Sequence, residues 1–118
     1  MNKPSLRYQR VLLKLSGEAL CSDGVAGVCA SALKRVSADI QALRALGVDV
    51  AIVVGGGNWT RGRSLVKEGL GRHTADHLGM LGTIMNGLAL RDVLSQAGLP
   101  VTLMSTVPLA GIVKMYDR

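Results

Sequence analysis

Aromatic side chains are almost missing from this chain of 118 residues: Tyr8, Trp59 and Tyr116 stand alone, and there is no phenylalanine. That removes the stacking platforms on which single-strand nucleic-acid binders lay their bases. Cysteine is as scarce. Cys21 and Cys29 form no CxxC and no metal-ligand spacing, so they read as free thiols rather than a bridge. No apolar run approaches the ~20 residues of a membrane span. The longest weakly polar stretch, Leu99 to Val113, is broken by Thr102, Ser105, Thr106 and two prolines, and reads as core. The basic start, MNKPSLRYQR, leads into a strand rather than a long apolar segment, so no secretory signal is apparent and the cytoplasm is expected. Internal repeats and low-complexity tracts are absent, as are GxxxxGK[ST] and GxGxxG, the usual NTPase and dinucleotide fingerprints. Acidic residues are few as well: 8 against 14 Lys and Arg, a net charge of +6. Such a balance suits an anionic partner.

What is present centres on Val48 to Gly62, VDVAIVVGGGNWTRG. Val48, Val50, Ile52, Val53 and Val54 are short and β-branched, which predicts a buried strand. Gly55, Gly56 and Gly57 have no Cβ, so the backbone there can take positive φ and let a ligand come close. Backbone N–H groups turned inward at a strand end make an anion-binding concavity. Arg61 follows at a distance suited to neutralising its occupant, and Arg63, Lys67 and Arg72 add charge beyond it. Taken alone, such a cluster reads equally well as a solvated basic face.

In chain order, Arg10 to Ser16 is a first strand ending at Gly17. Lys14 sits near its C-terminal end. A mid-strand lysine often snorkels to the surface, but in open α/β sheets the ligand crevice lies outside the strand ends, where a point charge holds phosphate oxygens. Ser22 to Gly27 is a turn-rich loop. Cys29, Leu33, Val36, Ile40, Leu43 and Leu46 recur at spacings of three and four, predicting a helix over 30–46 with Gly47 as its cap. Strand, helix and strand make one βαβ unit with parallel strands. A second, longer helix is predicted over 73–97, closed by Gly98 and Pro100, with Gly79, Gly82 and Gly87 notched for close helix packing, within the domain or between subunits. Val101 to Met104 is read as a third strand. His73 and His77 have the spacing of a one-face metal pair, but no third ligand is identifiable, so no metal site is expected. Asp76 beside them reads, most simply, as a first-turn acid facing the helix dipole.

A strand ending K-L-S-G, a βαβ crossover and a second strand ending G-G-G-N together resemble the amino-acid kinase family, in detail its bacterial uridylate (UMP) kinase branch. YQRVLLKLSGEAL (8–20), VVGGGNWTRG (53–62), TADHLGMLGTIMNGLALRD (74–92) and LMSTVP (103–108) resemble that branch's opening strand, glycine loop, interface helix and next strand. The resemblance implies a three-layer α/β/α sandwich with a mainly parallel sheet, and transfer of the ATP γ-phosphoryl to UMP with Mg²⁺ carried on the nucleotide. It implies that Lys14, Leu15, Ser16 and Gly17 contact ATP, with Lys14 catalytic in stabilising the phosphoryl in flight. Gly57 and Arg61 would also serve ATP, and Gly56 and Asp76 would bind UMP. A homohexamer activated by GTP and inhibited by UTP is implied too, with contacts on the glycine-notched helix. Two departures stand out. The family loop after Leu20 carries a Gly-Phe-Gly pattern tied to GTP activation, whereas Ser22 to Gly27 here reads SDGVAG. Family chains are also much longer, and their second half supplies the acceptor-phosphate loop and most of the adenine pocket. Residues 1–118 are therefore expected to be the N-terminal portion of an amino-acid kinase domain. The alternative is a truncated, non-catalytic nucleotide-binding or interaction fragment of the same family. A nucleic-acid binder, resting on basic charge alone, ranks last.

Overall fold

The computed structural model describes residues 5–22, 25–60 and 62–117, with only the backbone of 62–64. Strand β1 (Arg10–Leu15) and strand β2 (Asp49–Val54) pair in parallel, Arg10 opposite Asp49 through to Leu15 opposite Val54. The two strands therefore finish level with each other. The Gly55 N–H donates to the Leu15 carbonyl at 3.1 Å and carries the ladder one residue further. Between them runs helix α1 (Ala30–Ala45), which ends one residue earlier than its periodicity predicts because Leu46 takes the cap. Gly47 follows at φ +85°, a left-handed turn that glycine makes without strain.

Helix α3 (Arg72–Gln96) lies within a residue of its predicted span at each end, with Gly71 and Ala97 as caps and Gly98 at φ +83°. It packs against α1, and both helices reach β2. Three short elements go beyond the sequence reading: a 3₁₀ turn over Gly17–Leu20, helix α2 (Gly62–Lys67), which packs on α3, and a two-residue strand at Lys114–Met115. The parallel pairing and the helices make an α/β fold, as the resemblance implies.

Four expectations are corrected. β2 is not buried on both faces: Val50, Ile52 and Val54 are half-buried, while Val53 is 52% exposed and Leu12 on β1 is 68% exposed. Among the described residues the sheet has only these two strands, so too little structure surrounds them to cover both faces. The third strand shrinks to β3 (Met104–Ser105), paired in parallel with β4 (Lys114–Met115). Val101 to Leu103 belongs to no strand, and faces β2 across an apolar groove of about 730 Å³. A strand is defined by its partner, and the apolar pattern alone cannot supply one. The helix glycines do not serve helix–helix contact among the described residues. Gly82 receives the Trp59 side chain and the Gly56 carbonyl, Gly87 receives Leu103, and Gly79 faces open space. Finally, α3 starts at Arg72 and its first turn holds no acid, so Asp76 lies beyond the first-turn position that would complement the dipole.

Candidate phosphate site at the paired strand ends

Because β1 and β2 end together, Ser16-Gly17 and Gly55–Gly57 lie side by side. Contact is closest at Gly17: a Cβ there would run into the Asn58 Oδ1 and stand 2.9 Å from the Gly57 N. Gly56 is tighter against the helix. Its Cβ would stand 2.6 Å from the Thr83 N and 2.8 Å from the Gly79 carbonyl, both backbone atoms that cannot swing aside. None of Gly55, Gly56 and Gly57 has positive φ, so the freedom of torsion that the sequence allows there is not used. At Gly56 glycine is required by space, whereas a Cβ at Gly57 would meet only the Glu18 side chain and one at Gly55 nothing closer than 3.8 Å. A bare backbone at the end of parallel strands is left accessible to an anion.

The loop is held from below by a polar cluster. Asn86, in the middle of α3 and wholly buried, donates from Nδ2 to the Gly55 carbonyl at 2.6 Å and to the Asn58 Oδ1 at 2.7 Å. Its Oδ1 accepts from the Trp59 Nε1 at 2.9 Å and from the Asn58 Nδ2 at 3.0 Å. Asn58 also reaches the other way. Its Nδ2 donates to the Gly27 carbonyl and its own carbonyl accepts from the Gly27 N–H, both at 2.9 Å. Gly27, at φ +91°, passes under the Trp59 ring, where a Cβ would meet ring carbons at 3.1 Å. Glycine loop, 25–28 segment and α3 are thus one hydrogen-bonded unit. No buried side-chain nitrogen or oxygen among the described residues lacks a partner.

The structure brings Leu15, Ser16 and Gly17 together with Gly56 and Gly57, as the sequence predicts. Lys14 is exposed two residues before Ser16, beside Val53 in the sheet register. Asp76 is on α3 one turn before Gly79 and so on the face that meets Gly56. It is exposed, and pairs with Arg72 at 3.2 Å. Arg61 lies outside the described residues, as do Asp23 and Gly24 of the Ser22 to Gly27 loop. Three residues of the site escaped the sequence reading. Glu18 places Oε1 3.0 Å from where a Gly57 Cβ would sit, so a carboxylate borders the loop. Asn86 is the second, and its signal was an amide inside an otherwise apolar helix face. Gly27 is the third. Cys29, which precedes α1, accepts from the Ser22 hydroxyl at 3.2 Å and lies 3.4 Å from that of Ser31. These hydroxyls, a backbone hydrogen bond at Ala32 and the Arg35 charge lower its pKa from 9.0 to about 7. Both cysteines are free thiols. Among the described residues no three His, Cys, Asp or Glu gather into a set that could hold a metal, His73 and His77 included. No described helix is long and apolar enough to cross a membrane.

A βαβ unit whose strand ends carry side-chain-free loops defines an α/β protein of the kind that keeps its ligand crevice outside the strand ends. Comparison with known proteins carries this further. The profile of the amino acid kinase family matches residues 9–113, and the chain belongs to that family. Uridylate kinase of Marinobacter nauticus is 50% identical over 99% of this chain and 48% of its own length. Uridylate kinase of Legionella pneumophila strain Corby is 48% identical over the same shares. Among solved structures, UMP kinase from Bacillus anthracis superposes with a TM-score of 0.87 at 38% identity, over 93% of this chain and 46% of that one. The chain spans about half the length of the curated relatives it matches.

Proposed function

We propose that this chain is the N-terminal portion of an amino-acid kinase domain and builds the phosphate-binding part of a UMP kinase site. The observation that carries the reading is the juxtaposition of Ser16-Gly17 with Gly55–Gly57 at level strand ends. In the reaction a UMP phosphate oxygen attacks the γ-phosphorus of ATP in line. The bond to the β–γ bridging oxygen breaks, and ADP and UDP result. Such chemistry needs positioning and charge more than a covalent nucleophile. Leu15, Ser16, Gly17, Gly57 and Arg61 bind ATP in this reading, and Lys14 holds the phosphoryl oxygens as charge shifts between them. Gly56 takes the UMP phosphate, and Asp76 accepts from its ribose hydroxyls. Mg²⁺ arrives on the nucleotide and neutralises its phosphates. A cytoplasmic homohexamer responsive to GTP and UTP belongs to the same reading.

The test is UMP phosphorylation by the purified chain in a coupled assay, beside Lys14→Ala. Turnover that falls on the order of 100- to 1,000-fold in the variant is the expected result, by analogy with loss of one charge-stabilising donor. A folded chain that binds ATP or UMP without turnover would instead support a non-catalytic, nucleotide-binding member of the family.

A further inference from the structure

We infer that Asn86 is a positioning residue for the nucleotide: its carboxamide sets the shape in which Gly55–Gly57 and Asn58 meet phosphate. This rests on the UMP kinase reading above. Asn86 and Leu20 are the largest fully buried side chains described in the molecule. Leu20 needs no partner. A buried carboxamide does, because two donors and two acceptor lone pairs have left water. Asn86 satisfies all of them, and every partner lies between residues 55 and 59: the Gly55 carbonyl, both side-chain groups of Asn58, and the Trp59 indole N–H. Its neighbours Ile84, Leu90 and Leu94 on the same helix are buried and apolar. An apolar side chain at 86 would fill the space equally well, so the amide's distinctive contribution is direction. Through the Gly55 carbonyl it fixes the one peptide plane that also presents the Gly56 N–H. Through the reciprocal amide pair it fixes Asn58, which in turn holds Gly27 at both its N–H and its carbonyl. Small displacements of a phosphate-binding peptide weaken binding steeply, because each hydrogen bond to it is directional.

Trp59 is the sole tryptophan, so its emission reports directly on this contact. The experiment measures dissociation constants for ATP and for UMP by calorimetry on the full chain, at a temperature where circular dichroism shows each variant folded. Asn86→Ala and Asn86→Asp are compared with wild type, and Trp59→Phe is included as a milder variant that removes one of the four bonds. Asn86→Asp keeps the shape and the acceptor but turns a carboxylate oxygen onto the Gly55 carbonyl. Both Asn86 variants should bind at least one nucleotide about tenfold or more weakly, equivalent to one lost and unreplaced hydrogen bond. Their ligand-free Trp59 emission should shift. Trp59→Phe should weaken binding about threefold. Folded Asn86 variants that bind like wild type would overturn the inference and leave the UMP kinase reading intact. If Asn86→Ala and Asn86→Asp do not fold, unchanged affinity in Trp59→Phe overturns it instead. A wild-type chain that binds neither ATP nor UMP overturns the UMP kinase reading, and this inference with it.

Discussion

At the C-terminal ends of β1 and β2, backbone meets backbone: Gly56 rests on α3 with no room for a methyl group, and its polar neighbours are fully paired. A few residues earlier on the same strands the packing is loose. Leu12 is 68% exposed, Val53 is 52% exposed, and β2 looks across a groove of about 730 Å³ towards residues 99–104. The same two strands thus carry a region specified atom by atom and a region specified only as apolar. The difference shows where this half-length chain is self-sufficient. The strand ends, the 25–28 segment and α3 complete one another, whereas the middle of the sheet has a face that nothing described covers.

The sharpest way to break the contrast is Gly56→Ala. The methyl must force the loop off α3, at a cost of about 3 kcal/mol in overpacking. Urea unfolding should show the drop, and an undiminished midpoint would mean that the loop–helix contact is not tight. A second probe, intermediate in effect, is Cys29 at the edge of the tight region. Hydrogen bonds favour its thiolate, so deprotonation occurs at lower pH than for an ordinary thiol. In a Cys21→Ser background the rate of alkylation by iodoacetamide should rise with pH through a midpoint of about 7 rather than 9.0, and Ser22→Ala should move that midpoint upward. A rate that climbs only towards pH 9 would show the hydroxyls are not engaged. The smallest effect belongs to the open face. Leu12→Ser should change stability by less than about 0.5 kcal/mol, as exposed substitutions do, while reducing binding of a hydrophobic dye. A larger loss would show that the face is covered in solution.

The strand–glycine junctions were legible because each is a local signal: a β-branched run stopped by S-G or by G-G-G. Both long helices were legible to within a residue from apolar spacing and from Gly47 and Gly98. The parallel pairing predicted from the βαβ pattern is what sets Ser16-Gly17 beside Gly55–Gly57. Val101 to Leu103 was not legible as a partnerless segment, since an apolar run does not name what it pairs with. Gly82 and Gly87 announced close packing but not against Trp59 and Leu103. Asn86 was hidden because a lone amide on a helix carries no mark of its partners.

The sequence by itself determined the two long helices, the first two strands and the glycine junctions that end those strands, because periodicity and the absence of a side chain are properties of neighbouring residues. The tertiary structure alone decided that Gly56 lies on Gly79, Gly82 and Thr83, and that Asn86 devotes its amide to residues 27 to 31 positions away. Those contacts exist only once α3 has packed under the ends of β1 and β2.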